Sequence, residues 1–336
     1  MEQKTIFQVK QGSKFCYEGR GTVLSVCEFK INSGEVVIIL GNSGAGKSTF
    51  IETLGLMSNT LHYKVNLNGG NKTSEWDGHE NGKVIKTGEI IFDPDNDNIK
   101  FPDVWNSKSN SVSEVRKKNF NFIFQDNNLM HNLRNCDNII LADLIDGSKD
   151  YQTAYDNTRK TFESLNIDQY INDPPTSISG GERQRVAFAR GIQPNYRVLF
   201  GDEPTGNLDE AASALLMDVV KNDIENAKSD PNCDKSIVIV SHNIPLSLKY
   251  ADKIIILTKS PKNNHYEILP ENIYVKTNNS NDDVIATNNW IIDPETQLLN
   301  KKLDDGSSIK NSESQITSDE FAEKIKDILN KNVKQK

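Results

Sequence analysis

The chain has 336 residues, enough to bury a large core, and 26% of them are charged, with a net charge of −8. That acidic balance excludes a global attraction for nucleic acid or anionic lipid, though not a local basic patch. No signal-peptide core opens the chain, no apolar run approaches the roughly 18–20 residues that span a bilayer, and Cys16, Cys27, Cys136 and Cys233 are scattered without CxxC spacing, so a soluble cytosolic protein with reduced thiols is expected.

From the N-terminus, Ile6-Phe7-Gln8-Val9 alternates as a strand does, and residues 6–40 read as short strands with turns. Val36-Val37-Ile38-Ile39-Leu40 is a continuous apolar run, the pattern of a central parallel strand buried on both faces. A glycine loop follows at once, then Thr49-Phe50-Ile51-Glu52-Thr53-Leu54 with helical character. Residues 59–118, rich in Asn, Gly, Asp and Ser, predict a small antiparallel β region with loops around the turn at Asp93-Pro94-Asp95. Phe120 to Gln125 alternates as a strand, residues 127–172 read as mostly helical, and a helix begins at the glycines after Ser179. Strands at residues 197–200 and 236–240 flank a helix at 211–227, and this alternation implies a parallel, helix-covered sheet. Past residue 260 the chain turns polar with hairpin-like pieces, until Thr317-Ser318-Asp319-Glu320 reads as a capping box opening a last helix.

Gly41-Asn42-Ser43-Gly44-Ala45-Gly46-Lys47-Ser48 matches GxxxxGK[ST] between a buried strand and a helix. Its glycines let backbone N–H groups face phosphate oxygens, and the helix adds its positive end. Lys47 supplies charge to the β- and γ-phosphates, and the Ser48 hydroxyl is a Mg²⁺ ligand. Asp202 closes the run Val198-Leu199-Phe200-Gly201, where a carboxylate beside a phosphate loop holds Mg²⁺ or its water. Glu203, the next residue, can orient and polarise an attacking water. Taken alone, Asp-Glu before Pro204 is a solvated acidic turn; the phosphate loop is what gives it meaning.

Together with Ser179-Gly180-Gly181-Glu182-Arg183-Gln184, these motifs resemble those of the ATP-binding cassette (ABC) ATPases, in the family's order and over about residues 5–258 apart from 59–118. The resemblance makes residues 41–48 the Walker A loop with Thr49 beside it, Gln125 the Q-loop, residues 179–184 the signature, Asp202-Glu203 the Walker B end and catalytic Glu, Asp209 the D-loop, and His242 the switch. The wording from Asp202 to Asp209 is similar to the lipoprotein-releasing, macrolide-export and cell-division subgroup. The implied fold is α/β: a P-loop core with a mostly parallel sheet, an antiparallel β subdomain and a helical subdomain at 127–191. Residues 1–260 would form this nucleotide-binding domain, with 59–118 an enlarged insertion and 261–336 a polar α+β extension.

The implied enzyme is an ATPase using ATP and Mg²⁺. Ser48, Gln125 and Asp202 would hold the metal, and Lys47, Gln125, Glu203 and His242 would act on the γ-phosphate. Ser179, Gly180, Gly181, Glu182 and Asp209 would serve the nucleotide of a second cassette, a homodimer being sufficient. An aromatic upstream of the loop would stack on adenine, either Tyr17 or Phe15. Transmembrane permease subunits on separate chains would bring the protein to the inner face of the membrane. The competing readings are a cassette acting on ribosomes or nucleic acid and a nucleotide-gated regulator. The acidic balance and the single cassette speak against the first, and intact Glu203 and His242 against the second.

Overall fold

The computed structural model describes residues 4–17, 21–65, 83–93, 95, 97–106, 111–147, 149–228, 234–263, 265–277, 289–301 and 316–331. Four short strands open the chain: β1 (Thr5–Val9), β2 (Ser13–Tyr17), β3 (Gly21–Val26) and β4 (Phe29–Asn32). Then come β5 (Val36–Leu40) and α1 (Lys47–Leu54), the expected strand, loop and helix. A hairpin of β6 (His62–Val65) and β7 (Lys83–Lys86) follows, then β8 (Ile90–Phe92) and β9 (Ile99–Lys100).

The 59–118 stretch departs from expectation here. It is not only strands and loops, because it closes with α2 (Phe101–Asn106) and α3 (Ser111–Asn119). Phe101 and Val104, three apart, bury against a group of phenylalanines, and that contact holds α2 where the polar composition points to a loop. Phe7, Phe92, Phe101, Phe120 and Phe200 meet with ring centroids 4.8–6.5 Å apart, which joins the stretch to the central sheet. Each such side chain, fully buried, contributes roughly 1.5–3 kcal/mol.

Next along the chain are β10 (Phe120–Ile123), α4 (Asn135–Asp146), α5 (Tyr151–Ser164), α6 (Gly180–Ile192), β11 (Val198–Asp202), α7 (Glu210–Lys228), β12 (Ser236–Val240), α8 (Ile244–Tyr250) and β13 (Lys253–Ile256). The expected helical region therefore begins only at residue 135, after an irregular segment. The chain ends in β14 (Thr258–Lys259), β15 (Tyr266–Ile268), β16 (Ile273–Thr277), β17 (Asn289–Ile292), α9 (Pro294–Lys301), β18 (Ile316–Thr317) and α10 (Ser318–Lys331).

The central sheet runs β10-β11-β12-β5-β13-β16-β17-β18. Its first five strands are parallel and the last three join antiparallel. Period-two alternation divides each central strand between two cores. Val36, Ile38, Leu40, Ile237, Ile239, Ile254 and Ile256 face α6, α7, α8 and α10, whereas Val37, Ile39, Val238, Val240 and Ile255 face α1 and the antiparallel strands. The described parts of residues 261–336 thus extend the sheet and cover it. Among the described residues no helix is long and apolar enough to cross a membrane.

One feature of this layout is a buried charge cluster at the start of β13. Lys253, 2% exposed, places Nζ 3.3 Å from Glu35 Oε2 and 3.6 Å from Asp293 Oδ2, and donates to the Lys30 carbonyl at 2.9 Å. Burial opposes its charge, but the two carboxylates outweigh burial and hold the ammonium above its ordinary range. The cluster fastens the C-terminal segment to the opposite end of the sheet from the 41–48 loop.

Candidate functional site

The 41–48 loop leaves the C-terminal edge of β5 between β12 and β13, the place where ligands bind in open parallel sheets. Gly44 (φ +75°) and Gly46 (φ +88°) hold left-handed backbone that side chains disfavour. Gly46 caps α1 with no side-chain hydrogen bond, so the first-turn N–H groups remain open to an anion. Ser43, Gly44 and Ser48 are exposed, Ala45 packs inside, and the Thr49 carbonyl accepts from Thr53. Lys47 folds back over the loop, its Nζ donating to the Gly41 and Asn42 carbonyls at 2.9 and 3.0 Å. Burial lowers its pKa, while the carboxylates of Glu203 and Asp202 pull the other way.

Those carboxylates arrive at the same edge from β11. Burial raises the Asp202 carboxyl above its ordinary value, while the nearby Ser48 hydroxyl pulls it back. Glu203 takes φ +48°, a left-handed conformation rare for a non-glycine residue, and its N–H donates to the Val240 carbonyl at 3.1 Å. The strained turn aims its carboxylate at His242, which follows β12. Nε2 of His242 lies 2.7 Å from Glu203 Oε1 and 3.2 Å from Lys47 Nζ. One ring nitrogen cannot donate to the carboxylate and accept from the ammonium at once. The shorter contact, to Glu203, favours Nε2 as the donor, and Lys47 already has two carbonyl acceptors.

Ser48 and Asp202 make a hard-oxygen pair beside the loop, and no group of three or more His, Cys, Asp or Glu that could hold a metal occurs among the described residues. That donor set fits Mg²⁺, which takes one or two protein oxygens and completes its shell with phosphate and water. Gln125, expected as a third ligand, lies exposed just past β10 and makes no hydrogen bond among the described residues.

Residues 179–184 open α6 elsewhere on the molecule. Ser179 accepts from the Glu182 N–H at 3.3 Å, and Glu182 Oε2 accepts from the Ser179 N–H at 2.7 Å, a capping box. The Ser-x-x-Glu spacing carries that signal in the sequence. A Cβ on Gly180 would meet nothing nearer than 3.9 Å, and one on Gly181 would meet only Leu208 at 3.4 Å. The chain's own packing therefore does not require either glycine. No hydrogen bond or ion pair among the described residues joins Ser179–Glu182 to the 41–48 loop.

The remaining expected residues divide. Asp209 accepts from the Ala212 N–H at 2.7 Å and so caps α7 within its own chain. Phe15 is fully buried and stacks on Phe50 at 5.6 Å, which removes it as an adenine platform. Tyr17 is half-buried, its hydroxyl 3.4 Å from Glu52 of α1. One link was not anticipated: the buried Gln184 donates to the Pro204 carbonyl at 2.6 Å, tying the helix of residues 179–184 to the turn that carries Glu203. A cleft of about 660 Å³ opens beside that turn, lined by Glu203, Leu208, Ser213, His242, Asn243 and Leu246.

Comparison with known proteins matches residues 24–206, more than half of the chain, to the family model described as "ABC transporter". The lipoprotein-releasing system ATP-binding protein LolD of Zymomonas mobilis is 27% identical over 70% of this chain and 84% of its own length. The phosphonates import ATP-binding protein PhnC of Fusobacterium nucleatum is 30% identical over 76% of this chain and 89% of its own. The solved dimeric structure of the bacterial ABC transporter cassette MJ0796 has a similar fold, with a TM-score of 0.56 and 24% identity over 75% of this chain and 94% of that one.

Proposed function

The chain belongs to the ABC transporter family, as an ATP-binding and ATP-hydrolysing cassette, and from that premise we propose that two cassettes close around two ATP molecules to drive lipoprotein release or export. The observation that carries the two-cassette reading is the pair Gly180 and Gly181, free of side chains where their own chain leaves room for them. A helix N-terminus stripped of side chains and left exposed suits a phosphate that its own 41–48 loop cannot bring to it. The second cassette's loop would supply it.

In this reading each chain contributes distinct parts. Residues 41–48 and Thr49 cradle the triphosphate, Lys47 neutralises its charge, and Tyr17 stacks on adenine. Ser48 and Asp202, with Gln125 after the loop closes, would hold Mg²⁺, which neutralises charge on the phosphate oxygens. Glu203 orients the attacking water and accepts its proton, and His242, whose Nε2 lies between Glu203 and Lys47, stands where the γ-phosphate would come. Ser179, Gly180, Gly181 and Glu182 close from the opposite chain, with Asp209 beside them. The Gln184–Pro204 bond gives that closing movement a route to the turn of Glu203 within each chain.

Membrane attachment would come through permease subunits. Met130, Leu144, Ile145 and Tyr151 are exposed hydrophobic side chains between Gln125 and the first residue of α5, and such side chains suit an apolar partner. The wording of residues 206–209 and the likeness to the lipoprotein-releasing protein favour release or export. An import direction is the second reading, supported by the likeness to the phosphonate importer's cassette.

The test of the catalytic assignment is Glu203→Gln, expected to bind ATP while losing turnover; undiminished hydrolysis would refute the role. The test of the partner is capture of the tagged chain from detergent-solubilised membranes. A multi-span protein should accompany it, and recovery of ribosomes instead would overturn the transport reading.

A further inference from the structure

Helix α10 reaches the nucleotide loop. Its start is fixed by Thr317 and Glu320: the Glu320 N–H donates to Thr317 Oγ1 at 3.3 Å, and Glu320 Oε2 accepts from the Thr317 N–H at 2.9 Å. Its middle is anchored by Phe321, whose ring lies 4.4 Å from Tyr274 and 5.2 Å from Trp290, and by the fully buried Ile325. Ile328 and Leu329 extend this apolar face over the core shared with α8, the helix that begins directly after His242 with Asn243 as its cap. Asp319, Glu323, Lys324, Lys326 and Asp327 face solvent.

At the far end, the Leu329 carbonyl accepts a hydrogen bond from Asn42 Nδ2 at 2.9 Å, across 287 positions of sequence. Asn42 is the second residue of the loop, and its own carbonyl accepts from Lys47 Nζ at 3.0 Å and from the Ala45 N–H at 3.1 Å. Its side chain is thus held by α10 while its backbone holds the cation and the turn of the loop. A helix end normally leaves its last carbonyls to water, and here one of them takes a partner from the phosphate loop.

We propose that the Asn42–Leu329 bond is a latch through which α10 positions the 41–48 loop, so that affinity for ATP depends on the C-terminal helix. This rests on the reading of the loop as the ATP site. Asn42 acts here as a positioning residue, through its effect on Lys47 and the loop backbone. α10, packed against α8, then also joins the loop to the helix behind His242.

The experiment is a cycle of four chains, read by the dissociation constant of a fluorescent ATP analogue, with melting temperature followed in parallel. They are the full chain, Asn42→Ala, a chain ending at residue 327, and that shortened chain carrying Asn42→Ala. The shortened chain keeps Phe321 and Ile325 and loses the acceptor. Each single change should weaken binding about two- to tenfold, the worth of one net hydrogen bond, and the combination should be no weaker than either. A chain ending at residue 331 should bind as the full chain does. Unchanged affinity in either single variant, multiplying effects in the combination, or equal weakening in the chain ending at 331 would overturn the latch. Lys47→Ala separates the two readings: if it binds the analogue normally, the ATP site itself is misassigned, whereas its loss of binding beside unaffected latch variants sinks the latch alone.

Discussion

Replacing Lys253 with Met should destabilise the protein severely without touching its chemistry. The ammonium lies 3.3 Å from Glu35 and 3.6 Å from Asp293 and is almost wholly buried. At an effective dielectric of about 20, a unit-charge pair at such a distance interacts by roughly 4–5 kcal/mol, offset by the cost of desolvation. Met matches the side chain in size but leaves two carboxylates buried beside each other. Breaking a buried pair from one side costs about 3–5 kcal/mol, against a total stability of roughly 5–15 kcal/mol for a domain. Burial already raises the Glu35 carboxyl above its ordinary value, and loss of Lys253 should raise it further. The folded variant then binds more protons than the unfolded chain, so its stability should increase as pH falls toward the ordinary carboxylate range. Urea unfolding followed by intrinsic fluorescence at several pH values measures this. Because the cluster lies at the far end of β13 from the 41–48 loop, ATP affinity of the folded fraction should be unchanged. A loss under 1 kcal/mol, or a deficit that grows on acidification, would refute the reasoning.

Other outcomes follow from the site. Phe15→Ala should cost about 3–5 kcal/mol of stability through a cavity beside Phe50, with ATP affinity preserved in the folded protein. Tyr17→Ala should do the reverse, leaving unfolding nearly unaltered while weakening ATP binding roughly five- to a hundredfold, as loss of a base-stacking ring does; calorimetric titration and thermal melts distinguish the pair. Gln184→Leu removes the donor to the buried Pro204 carbonyl, so it should cost about 1–3 kcal/mol and lower kcat while ATP binding persists. A kcat equal to that of the unchanged protein would remove Gln184 from the coupling route.

Much of this was legible because the informative parts are local. A run of Val and Ile followed by a glycine loop specifies strand, turn and helix through backbone sterics alone, and β5, the loop and α1 stand where the sequence put them. Asp202, Glu203 and His242 sit at strand ends, and strand ends are marked by where apolar runs stop. What stayed hidden depends on residues distant in sequence. α2 folds because Phe101 and Val104 find the phenylalanines of β1, β8, β10 and β11, α3 packs on the same core through Val112 and Val115, and nothing in their own composition announces it. Gln184–Pro204, Asn42–Leu329 and the Lys253 cluster are side-chain meetings across the fold that only tertiary structure creates. The different surroundings of Phe15, stacked on Phe50, and the half-buried Tyr17 were hidden too, because the β2–β3 register shifts between Phe15 and Cys16 and breaks the simple alternation.

On the proposed function, one chain is incomplete as an enzyme until residues 179–182 meet the loop of another. Light scattering on the Glu203→Gln chain tests it most directly, with ATP, with ADP, and with Ser179→Arg added. The expected result is a dimer in ATP, a monomer in ADP, and an ATP-bound monomer once Ser179→Arg is present. A Glu203→Gln chain that stays monomeric while saturated with ATP, or a dimer that survives Ser179→Arg, would contradict it.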